Sequence, residues 1–173
     1  MWLPVAFLFV SMIVLPLLAL AGLYLYFSSD LPRINSVKDY QPKIVTQVLS
    51  ENGDIIAEYF VEKRYVISMD EMPPVLIDAF IAAEDERFFE HQGIDLLSII
   101  RALIKNLRSM DIVQGGSTIT QQVTKSLLLT PEKSYARKIK EAILAYRIEK
   151  SLSKTDILSI YLNQIYLGQR SYG

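Results

Sequence analysis

The sequence predicts a mainly α-helical domain that follows one membrane-spanning helix and a small β-hairpin region. Three observations support this fold class: an uncharged apolar stretch at the N-terminus, an Asn-Gly pair between two β-branched segments, and helical periodicity downstream of Met72. The chain has 173 residues, 51% of them hydrophobic, which allows one modest domain and one apolar segment. We therefore expect an anchor at 1–29, a linker with the hairpin at 30–68, and a helical domain at 69–173.

The N-terminal segment is predicted to be an uncleaved membrane anchor. No charged side chain occurs from Met1 to Ser29, and the apolar run is long enough for a bilayer core, which needs roughly 20 residues. A cleaved signal peptide is the alternative, since Ala19-Leu20-Ala21 is typical of a cleavage site, but the apolar run is too long and no basic residue precedes it. The positive-inside rule, taken alone, would place the rest of the chain in the cytoplasm, because the nearest basic residues follow the span: Arg33, Lys38 and Lys43.

A β-hairpin is predicted after a connector at 28–42. Residues 44–49 and 55–61 are rich in β-branched and aromatic side chains, and they flank Asn52-Gly53, the strongest short hairpin signal. We expect Val66 and Ile67 to extend this small sheet, and everything downstream of Met72 to be helical.

The first helical stretch places an ionisable group on an apolar face. Pro74 suits a first helical turn, and the positions that then recur at helical spacing are Ile77, Ile81, Glu84 and Phe88. A carboxylate held among such side chains loses hydration, which disfavours its charged form and suits it for general acid or base work. The alternative is that Glu84 lies at the edge of the stripe, either solvated or paired with Arg87.

Four further helices are predicted from their caps. Asp95 is expected to cap a structural helix with one wide apolar face. Thr118 and Gln121 form a capping box for a helix that ends near Leu128. The last two helices are expected at about 134–152 and 153–167, with Gly168 ending the second. Between the helices we expect a loop at 109–116 and a mobile, leucine-rich loop at 126–134.

Two further stretches carry possible chemistry. Gly115-Gly116 precedes hydroxyl residues at a predicted helix start, where backbone N–H groups and the positive end of the helix dipole are exposed. This stretch is either a binding site for phosphate or an ordinary capped helix with a glycine turn. Glu141 lies one turn after Arg137, where it could steady phosphate charge, help position a metal ion, or form helical salt bridges. His91 is the only histidine, so a histidine-based metal cluster or a serine triad has few of the residues that it needs. The chain has no cysteine, which excludes thiolate chemistry.

The order and spacing of these stretches resemble those of the peptidoglycan glycosyltransferase family, the polymerase module of class A penicillin-binding proteins and of monofunctional transglycosylases. Its four motifs match residues 84–93, 116–122, 137–141 and 154–163, and residues 59–74 are similar to the linker region of the 1A type. The resemblance implies a lysozyme-like glycosyltransferase fold. Ser159 stands where the fourth motif usually has Glu, and the chain ends at Gly173 within the fifth motif, so we expect it to be an N-terminal fragment.

The resemblance also implies a reaction. Lipid II would be polymerised into β-1,4-linked glycan strands, with inversion at the donor carbon and release of undecaprenyl pyrophosphate. Glu84 would be the base, and Glu141 would support the leaving pyrophosphate through a cation network or a divalent cation, Mg or Mn, that some members use. The implied substrate-binding residues are Ser117, Thr118, Thr120, Gln121, Gln122, Lys125, Arg137 and Lys138. The motif positions expected to organise the fold are Asp85, Phe88, His91, Gly93, Gly116 and Asn163.

The same resemblance implies a single-pass protein of the bacterial inner membrane with its domain on the periplasmic side, which overrules the charge rule. The implied partners are lipid II, the growing glycan strand, the membrane and other cell-wall synthesis proteins, and no nucleic acid is expected. Two alternatives stay open: a lysozyme-like lytic enzyme, which could use the same Glu, and an inactive anchored scaffold. The phosphate-facing residues at 117–125 and 137–138 favour the polymerase, because a hydrolase of neutral sugar does not need them.

Overall fold

The structure is a computed structural model that describes residues 2–32, 42–111, 115–130, 132, 134–169 and 171–173, with side chains of the N-terminal helix described from Val10 onward. Helix α1 spans Trp2–Ser28, and its stretch Val10–Ser28, with a mean hydropathy of 2.1, is long and apolar enough to cross a membrane. Arg33 and Lys38, on which the orientation argument depended, lie outside the described residues.

The predicted hairpin is confirmed. Strands β1 (Thr46–Leu49) and β2 (Ile55–Tyr59) pair antiparallel, with Val48 opposite Ala57. Gly53 in the turn has a φ of 87°, a conformation that glycine adopts without strain. The local signal was sufficient because a hairpin turn determines the register of the strands that it connects.

A second small sheet was not predicted. Strand β3 (Lys63–Arg64) pairs parallel with β5 (Ser171–Tyr172), which pairs antiparallel with β4 (Tyr166–Gly168). The expectation that Val66 and Ile67 extend the hairpin is therefore wrong, as is the expectation of helix up to residue 167. Instead, the Asn163 side chain bonds both backbone groups of Ile67, at 3.0 Å each, which is a fold-organising contact.

Within the described residues, the short 3₁₀ helix Met69–Glu71 and five α-helices follow the hairpin, and the predicted starts of the α-helices are confirmed. Side-chain caps begin most of them: the Asp95 carboxylate accepts from Leu97 N and Ser98 N, and the Ser134 hydroxyl accepts from Arg137 N. The predicted loop at 126–134 starts too early, because Leu127 and Leu128 still belong to a helix and pack against the core. The helices are α2 (Pro74–Glu84), α3 (Leu96–Ser109), α4 (Ile119–Leu128), α5 (Tyr135–Ser151) and α6 (Lys154–Leu162).

The hydrophobic core lies where α4, α5 and α6 meet. Ile119 and Val123 of α4 pack with Ile148 of α5 and Ile157 of α6, and all four are at most 1% exposed. Phe88, which follows α2, inserts into the same core and is fully buried. The mainly α-helical fold class is confirmed.

The wide apolar face of α3 does not pack as predicted. Leu96, Leu103 and Leu107 are 69%, 57% and 69% exposed, and Ala102 is the one buried residue of the helix. Within the described ranges, no element covers this face. Because a hydrophobic stripe on a helix is normally buried, this face needs another explanation than the core of the domain.

Candidate active site

A cleft of about 550 Å³ opens between the end of α2, the loop before α4, α4 itself and the start of α5. It brings together eight of the ten residues predicted to be catalytic or substrate-binding, and these come from three separate motifs. The lining residues are Ala83, Glu84, Gly115, Ser117, Gln121, Gln122, Lys125, Arg137, Lys138 and Glu141. A site with two carboxylates, three cations, a hydroxyl and two amides suits an anionic, hydroxyl-rich ligand.

Glu84 faces this cleft, but it is not buried. The prediction of a dry carboxylate is wrong, because α2 ends at Glu84 and the chain turns at Asp85, so that Phe88 reaches the core alone and Glu84 stays exposed. Its Oε2 accepts a hydrogen bond of 2.8 Å from Gln122 Nε2. The predicted alternative placed Glu84 at the edge of the stripe, either solvated or paired with Arg87. Its solvated form is confirmed, and the pair is not observed, since Arg87 contacts Glu90 and Asp95.

The buried acid of this region is the next residue, Asp85. It is 7% exposed, and its Oδ2 accepts from the backbone N–H of Ile119 at 3.0 Å. His91 Nε2 lies 3.0 Å from both of its oxygens, while His91 Nδ1 accepts from Gly93 N at 3.2 Å. These partners assign the proton of a neutral imidazole to Nε2. Asp85 and His91 thus fasten the end of α2 to the start of α4, as expected for fold-organising residues.

The start of α4 is not an open phosphate seat. Gln121 Oε1 accepts from Thr118 N, and Thr118 Oγ1 accepts from Gln121 N, which completes the predicted capping box. The N–H of Ile119 is already bonded to Asp85, so this carboxylate is the anion at the helix N-terminus. Binding of a further anion in the cleft therefore depends on side chains rather than on the helix dipole.

Two predicted substrate-binding residues do not line the cleft. Thr118 and Thr120 are 2% and 0% exposed. The Thr118 hydroxyl donates to the carbonyl of Gly93 at 2.7 Å, and the Thr120 hydroxyl donates to Glu149 Oε1 at 2.6 Å. Lys154 Nζ also contacts Glu149, at 2.8 Å, and reaches the carbonyl of His91. Both threonine hydroxyls thus belong to a network of hydrogen bonds beneath the cleft, which we call the framework and which also includes Glu149 and Lys154.

Sequence reasoning missed Glu149, which joins this framework from α5. Its signal was weak, because Glu149 lies eight residues after Glu141 on a charged helix, between the third motif, which ends at residue 141, and the fourth, which begins at residue 154. The fold brings it to Thr120 only through the packing of α4 on α5, which spacing within either helix does not reveal.

Glu141 organises the cationic wall of the cleft. The residue is 2% exposed, its Oε2 accepts from Lys138 Nζ at 2.8 Å, and its Oε1 lies 3.3 Å from Arg137 Nη1. Lys138 Nζ also donates to Ser117 Oγ at 2.7 Å. In the described part of the chain, Arg137 Nε and Nη1 are buried without a hydrogen-bond partner. The helical salt bridges are thus present, and the donor that they leave without a close acceptor is the buried Nε of Arg137.

The cleft does not fit a resident metal ion. Among the described residues, no three His, Cys, Asp or Glu side chains group together as metal ligands. Both oxygens of Glu141 face cations, and one oxygen of Glu84 is bonded to Gln122. Because divalent Mg or Mn prefers several free oxygen ligands, we derive no step through a metal, and the cation stays a prediction.

An adjoining cavity of about 560 Å³ shares Gln122 and Lys125 with the cleft and is also lined by Tyr161. Burial raises the pKa of the Tyr161 phenol, and the negative charge of Glu84 raises it further, so Tyr161 is a neutral donor. Within the described ranges its hydroxyl has no hydrogen-bond partner. Sequence reasoning did not single out Tyr161, because its position beside Glu84 arises only from the packing of α6.

This fold and cleft define a class of protein: a helical domain behind an apolar helix that is long enough to cross a membrane, with one exposed carboxylate facing a wall of cations. A family model described as Transglycosylase matches residues 52–173, which is most of the chain, so the chain belongs to the transglycosylase family. The predicted resemblance and the lysozyme-like fold class are thereby confirmed.

The curated relatives agree with this assignment. The chain is 47% identical over 152 residues to penicillin-binding protein 1A of Escherichia coli (strain K12), covering 88% of this chain and 18% of that protein. It is 48% identical over 157 residues to penicillin-binding protein 1A of Neisseria lactamica, covering 91% of this chain and 19% of that protein. The Vibrio cholerae protein of the same name is 45% identical over 161 residues, or 93% of this chain and 20% of that protein. The chain therefore spans about a fifth of the length of these relatives.

Proposed function

We propose that this chain carries the peptidoglycan glycosyltransferase site of a membrane-anchored protein, which polymerises lipid II into β-1,4-linked glycan strands. The observation that carries the proposal is the cleft itself, where Glu84 faces a wall that holds Arg137 and Lys138. A base on one side and cations on the other are what displacement of a sugar pyrophosphate requires. Membership in the transglycosylase family supports the same reaction.

In this reaction Glu84 takes the proton from the 4-hydroxyl of the acceptor sugar as that oxygen attacks C1 of the donor. The new glycosidic bond forms as the bond between C1 and the pyrophosphate oxygen breaks, with inversion at C1, and the electron pair leaves with the pyrophosphate. Lys125, Arg137 and Lys138 stabilise the charge of this leaving group. An exposed carboxylate is sufficient as the base, because the bound substrate itself removes water from the cleft.

Glu141 acts through its neighbours rather than on the substrate. It is nearly inaccessible, and its two oxygens hold Arg137 and Lys138 at the edge of the cleft. Without it, two like charges would repel one another and the Lys138 ammonium would lose the contact that aims it toward Ser117. The cationic wall is thus preorganised before the substrate arrives.

The location in the cell follows from the substrate. A lipid-linked donor is confined to the bilayer, and α1 would hold the module beside it at a high effective concentration. The exposed apolar face of α3 suits a module that works against lipid. Family resemblance favours the periplasmic side of the bacterial inner membrane, with the glycan strand and other cell-wall synthesis proteins as partners.

The experiment that tests this function is polymerisation of lipid II by the intact protein, compared with its Glu84→Gln variant. Loss of the base should slow polymerisation by about 10²–10⁴-fold. Glu86→Gln is the matched control, because Glu86 is an exposed carboxylate two residues away that does not line the cleft. Equal rates for the Glu84→Gln variant and the unaltered protein would show that Glu84 is not the base.

The same proteins, incubated with lipid II and, separately, with isolated cell wall, separate the alternatives. A lytic enzyme would release soluble muropeptides from existing wall, and an inactive scaffold would produce neither strands nor fragments. The cationic wall favours the polymerase over both, since cleavage of a neutral glycan gives no pyrophosphate for Arg137 and Lys138 to bind.

A further inference from the structure

The Tyr161 phenol is a buried polar group that the proposed reaction does not use. Tyr161 is 3% exposed, and within the described ranges its hydroxyl has no hydrogen-bond partner. A buried hydroxyl without a partner is costly, because it has lost its hydration without gaining a hydrogen bond in exchange. Buried polar groups of this kind are rare in folded proteins, and one that lines a cavity beside a candidate active site suggests a role in the reaction.

The ring of Tyr161 is held in a fixed place relative to the end of α2. It belongs to the hydrophobic core, and it meets the ring of Phe80 edge-on, with the ring centres 6.1 Å apart and the planes at 79°. Phe80 lies four residues before Glu84 on α2, so the two side chains project from the same side of that helix. The contact between the rings therefore positions the phenol beside the turn of α2 that carries Glu84.

Glu84 is the acceptor that this arrangement offers to the phenol. Among the described residues, no carboxylate lines the adjoining cavity, and the other carboxylate of the cleft, Glu141, is already paired with two cations. Gln122 lines both the cavity and the cleft, and it donates to Glu84 Oε2 at 2.8 Å. Burial raises the pKa of the Tyr161 phenol, and the negative charge of Glu84 raises it further, so the phenol keeps the proton that it would donate.

We propose that Tyr161 is a positioning residue for the base: in the substrate complex its hydroxyl donates a hydrogen bond to Glu84 Oε1, while Gln122 donates to Oε2. This inference rests on the proposed function, in which Glu84 takes the proton. Glu84 is exposed at the last position of α2, and in the described part of the chain the hydrogen bond from Gln122 is the one that restrains its carboxylate. Donors on both oxygens fix the plane of the carboxylate, and the bound substrate excludes the water that competes with them. Each oxygen keeps a second lone pair, so the proton of the acceptor hydroxyl can still be transferred to Glu84.

A direct hydrogen bond from Tyr161 to the substrate is the competing explanation. With Tyr161 only 3% exposed, its hydroxyl presents almost no surface to a sugar ring. The Glu84 side chain is exposed, flexible and already next to it, so a rotation about side-chain bonds is enough to bring a carboxylate oxygen to the hydroxyl. The two explanations also differ in what they require, because positioning acts only through Glu84, whereas a contact with the substrate is independent of the base.

The test compares the unaltered intact protein with its Tyr161→Phe variant in polymerisation of lipid II. The substitution removes one oxygen and keeps the ring that contacts Phe80. We expect kcat to fall about tenfold, because the base loses a hydrogen bond of the strength that charged groups accept, while KM stays within twofold. Chemical denaturation should show the variant to be no less stable, because the hydroxyl that it lacks has no partner in the free protein. Tyr146→Phe is the matched control, since Tyr146 is an exposed tyrosine of α5 that lines neither the cleft nor the adjoining cavity, and it should change none of these quantities.

A double-mutant cycle separates positioning of the base from a contact with the substrate. In the Glu84→Gln background, Tyr161→Phe should change the residual rate by less than twofold, because the base on which it acts is already lost. A tenfold loss in both backgrounds, an unchanged kcat for Tyr161→Phe, or a raised KM in place of a lowered kcat overturns the inference. A loss of stability in Tyr161→Phe also overturns it, since the hydroxyl would then already be bonded within the fold. These results would leave the proposed function intact as long as Glu84→Gln alone slows polymerisation, whereas full activity of Glu84→Gln would contradict the proposed function itself.

Discussion

Gly93 holds two motifs together because it has no side chain. Its φ is 87°, and an added Cβ would lie 2.7 Å from both the carbonyl carbon and the oxygen of Ala145 on α5. Its N–H donates to His91 and its carbonyl accepts from Thr118, so the turn passes through a space that only backbone can occupy. The start of α4 is positioned on α5 through this contact.

Gly93→Ala should therefore lower the free energy of unfolding by about 2–5 kcal/mol, since backbone strain and overpacking add. Gly53→Ala is the matched control, because Gly53 has the same φ of 87° with no atom within 4 Å of the added Cβ. It should cost only the strain, about 1–3 kcal/mol. Chemical denaturation of the two variants measures the difference, and equal losses would mean that the contact with Ala145 is unimportant.

A variant of Thr120 tests whether this residue supports the framework beneath the cleft or binds the substrate. Thr120→Val keeps the shape but removes the hydroxyl that donates to buried Glu149, which should cost about 1–3 kcal/mol of stability. Because Thr120 does not reach the cleft, KM for lipid II should stay within twofold. Ser117→Ala should show the opposite pattern, with a raised KM and little change in stability, since Ser117 lines the cleft and contacts Lys138. A raised KM for Thr120→Val would return Thr120 to the substrate-binding set.

At this scale, the resemblance to the family's motifs predicted most of the side chains that share the cleft, but not their exposure. Glu84 was expected to be buried because its stripe continued to Phe88, whereas the helix ends at Glu84 and the following turn carries Phe88 into the core. Asp85, one position on, is the buried carboxylate. Exposure depends on where a helix ends and on what packs against it, and neither is contained in local periodicity.

At the scale of elements, α3 depends on its N-terminal cap because few of its side chains pack. Desolvation opposes ionisation of the buried Asp95 carboxyl, but hydrogen bonds from the Ser98 hydroxyl, Ser98 N and Leu97 N, together with the charge of Arg87, outweigh it. They hold the pKa of Asp95 below its usual range. The carboxylate thus stabilises the start of α3.

The pH dependence of stability should report this cap. The pKa of Asp95 is lower in the folded state than in the unfolded state, where it is about 3.9. The stability that the Asp95 carboxylate contributes is therefore fully present above the unfolded-state pKa and is lost as the pH falls through the folded-state pKa. Asp95→Asn should be less stable than the unaltered protein by about 1 kcal/mol at pH 7. Unfolding curves at pH 7, 4 and 2.5 should show this difference shrinking below about pH 4. A difference that is constant over that range would contradict the assignment.

Elements were predictable where their signals were local. Pro74, Asp95, Ser134 and the Thr118 capping box each begin a helix at the predicted residue. Strand β3 was not predictable, because it pairs with β5 more than 100 residues later, and two-residue strands carry no periodicity. The exposed face of α3 was misjudged for a related reason, since an apolar stripe indicates burial against something without saying whether that is protein or lipid.

At the scale of the whole molecule, α5 connects α1 to the candidate active site, because it contacts the first and lines the second. Arg147 Nη2 donates to Ser28 Oγ at 2.7 Å and to the Tyr24 hydroxyl at 3.2 Å, and its guanidinium lies 5.7 Å from the centre of the Tyr24 ring. Arg147 lies six residues after Glu141 on α5, the helix that also carries Arg137 and Lys138. The last turn of α1 is thus fixed to the helix that forms the cationic wall.

This connection should matter only when the substrate is held in a bilayer. Arg147→Ala should slow polymerisation of lipid II in vesicles about fivefold, because it removes the hydrogen bonds and the cation–π contact that orient the cleft relative to the membrane. The rate in detergent should stay within twofold, since micelles impose no common orientation. Lys150→Ala is the control, as Lys150 is an exposed cation of the same helix whose Nζ lies 5.2 Å from the centre of the Tyr146 ring. An equal loss in vesicles and in detergent would indicate damage to the fold, and no loss in either would mean that α1 tethers the domain without orienting it.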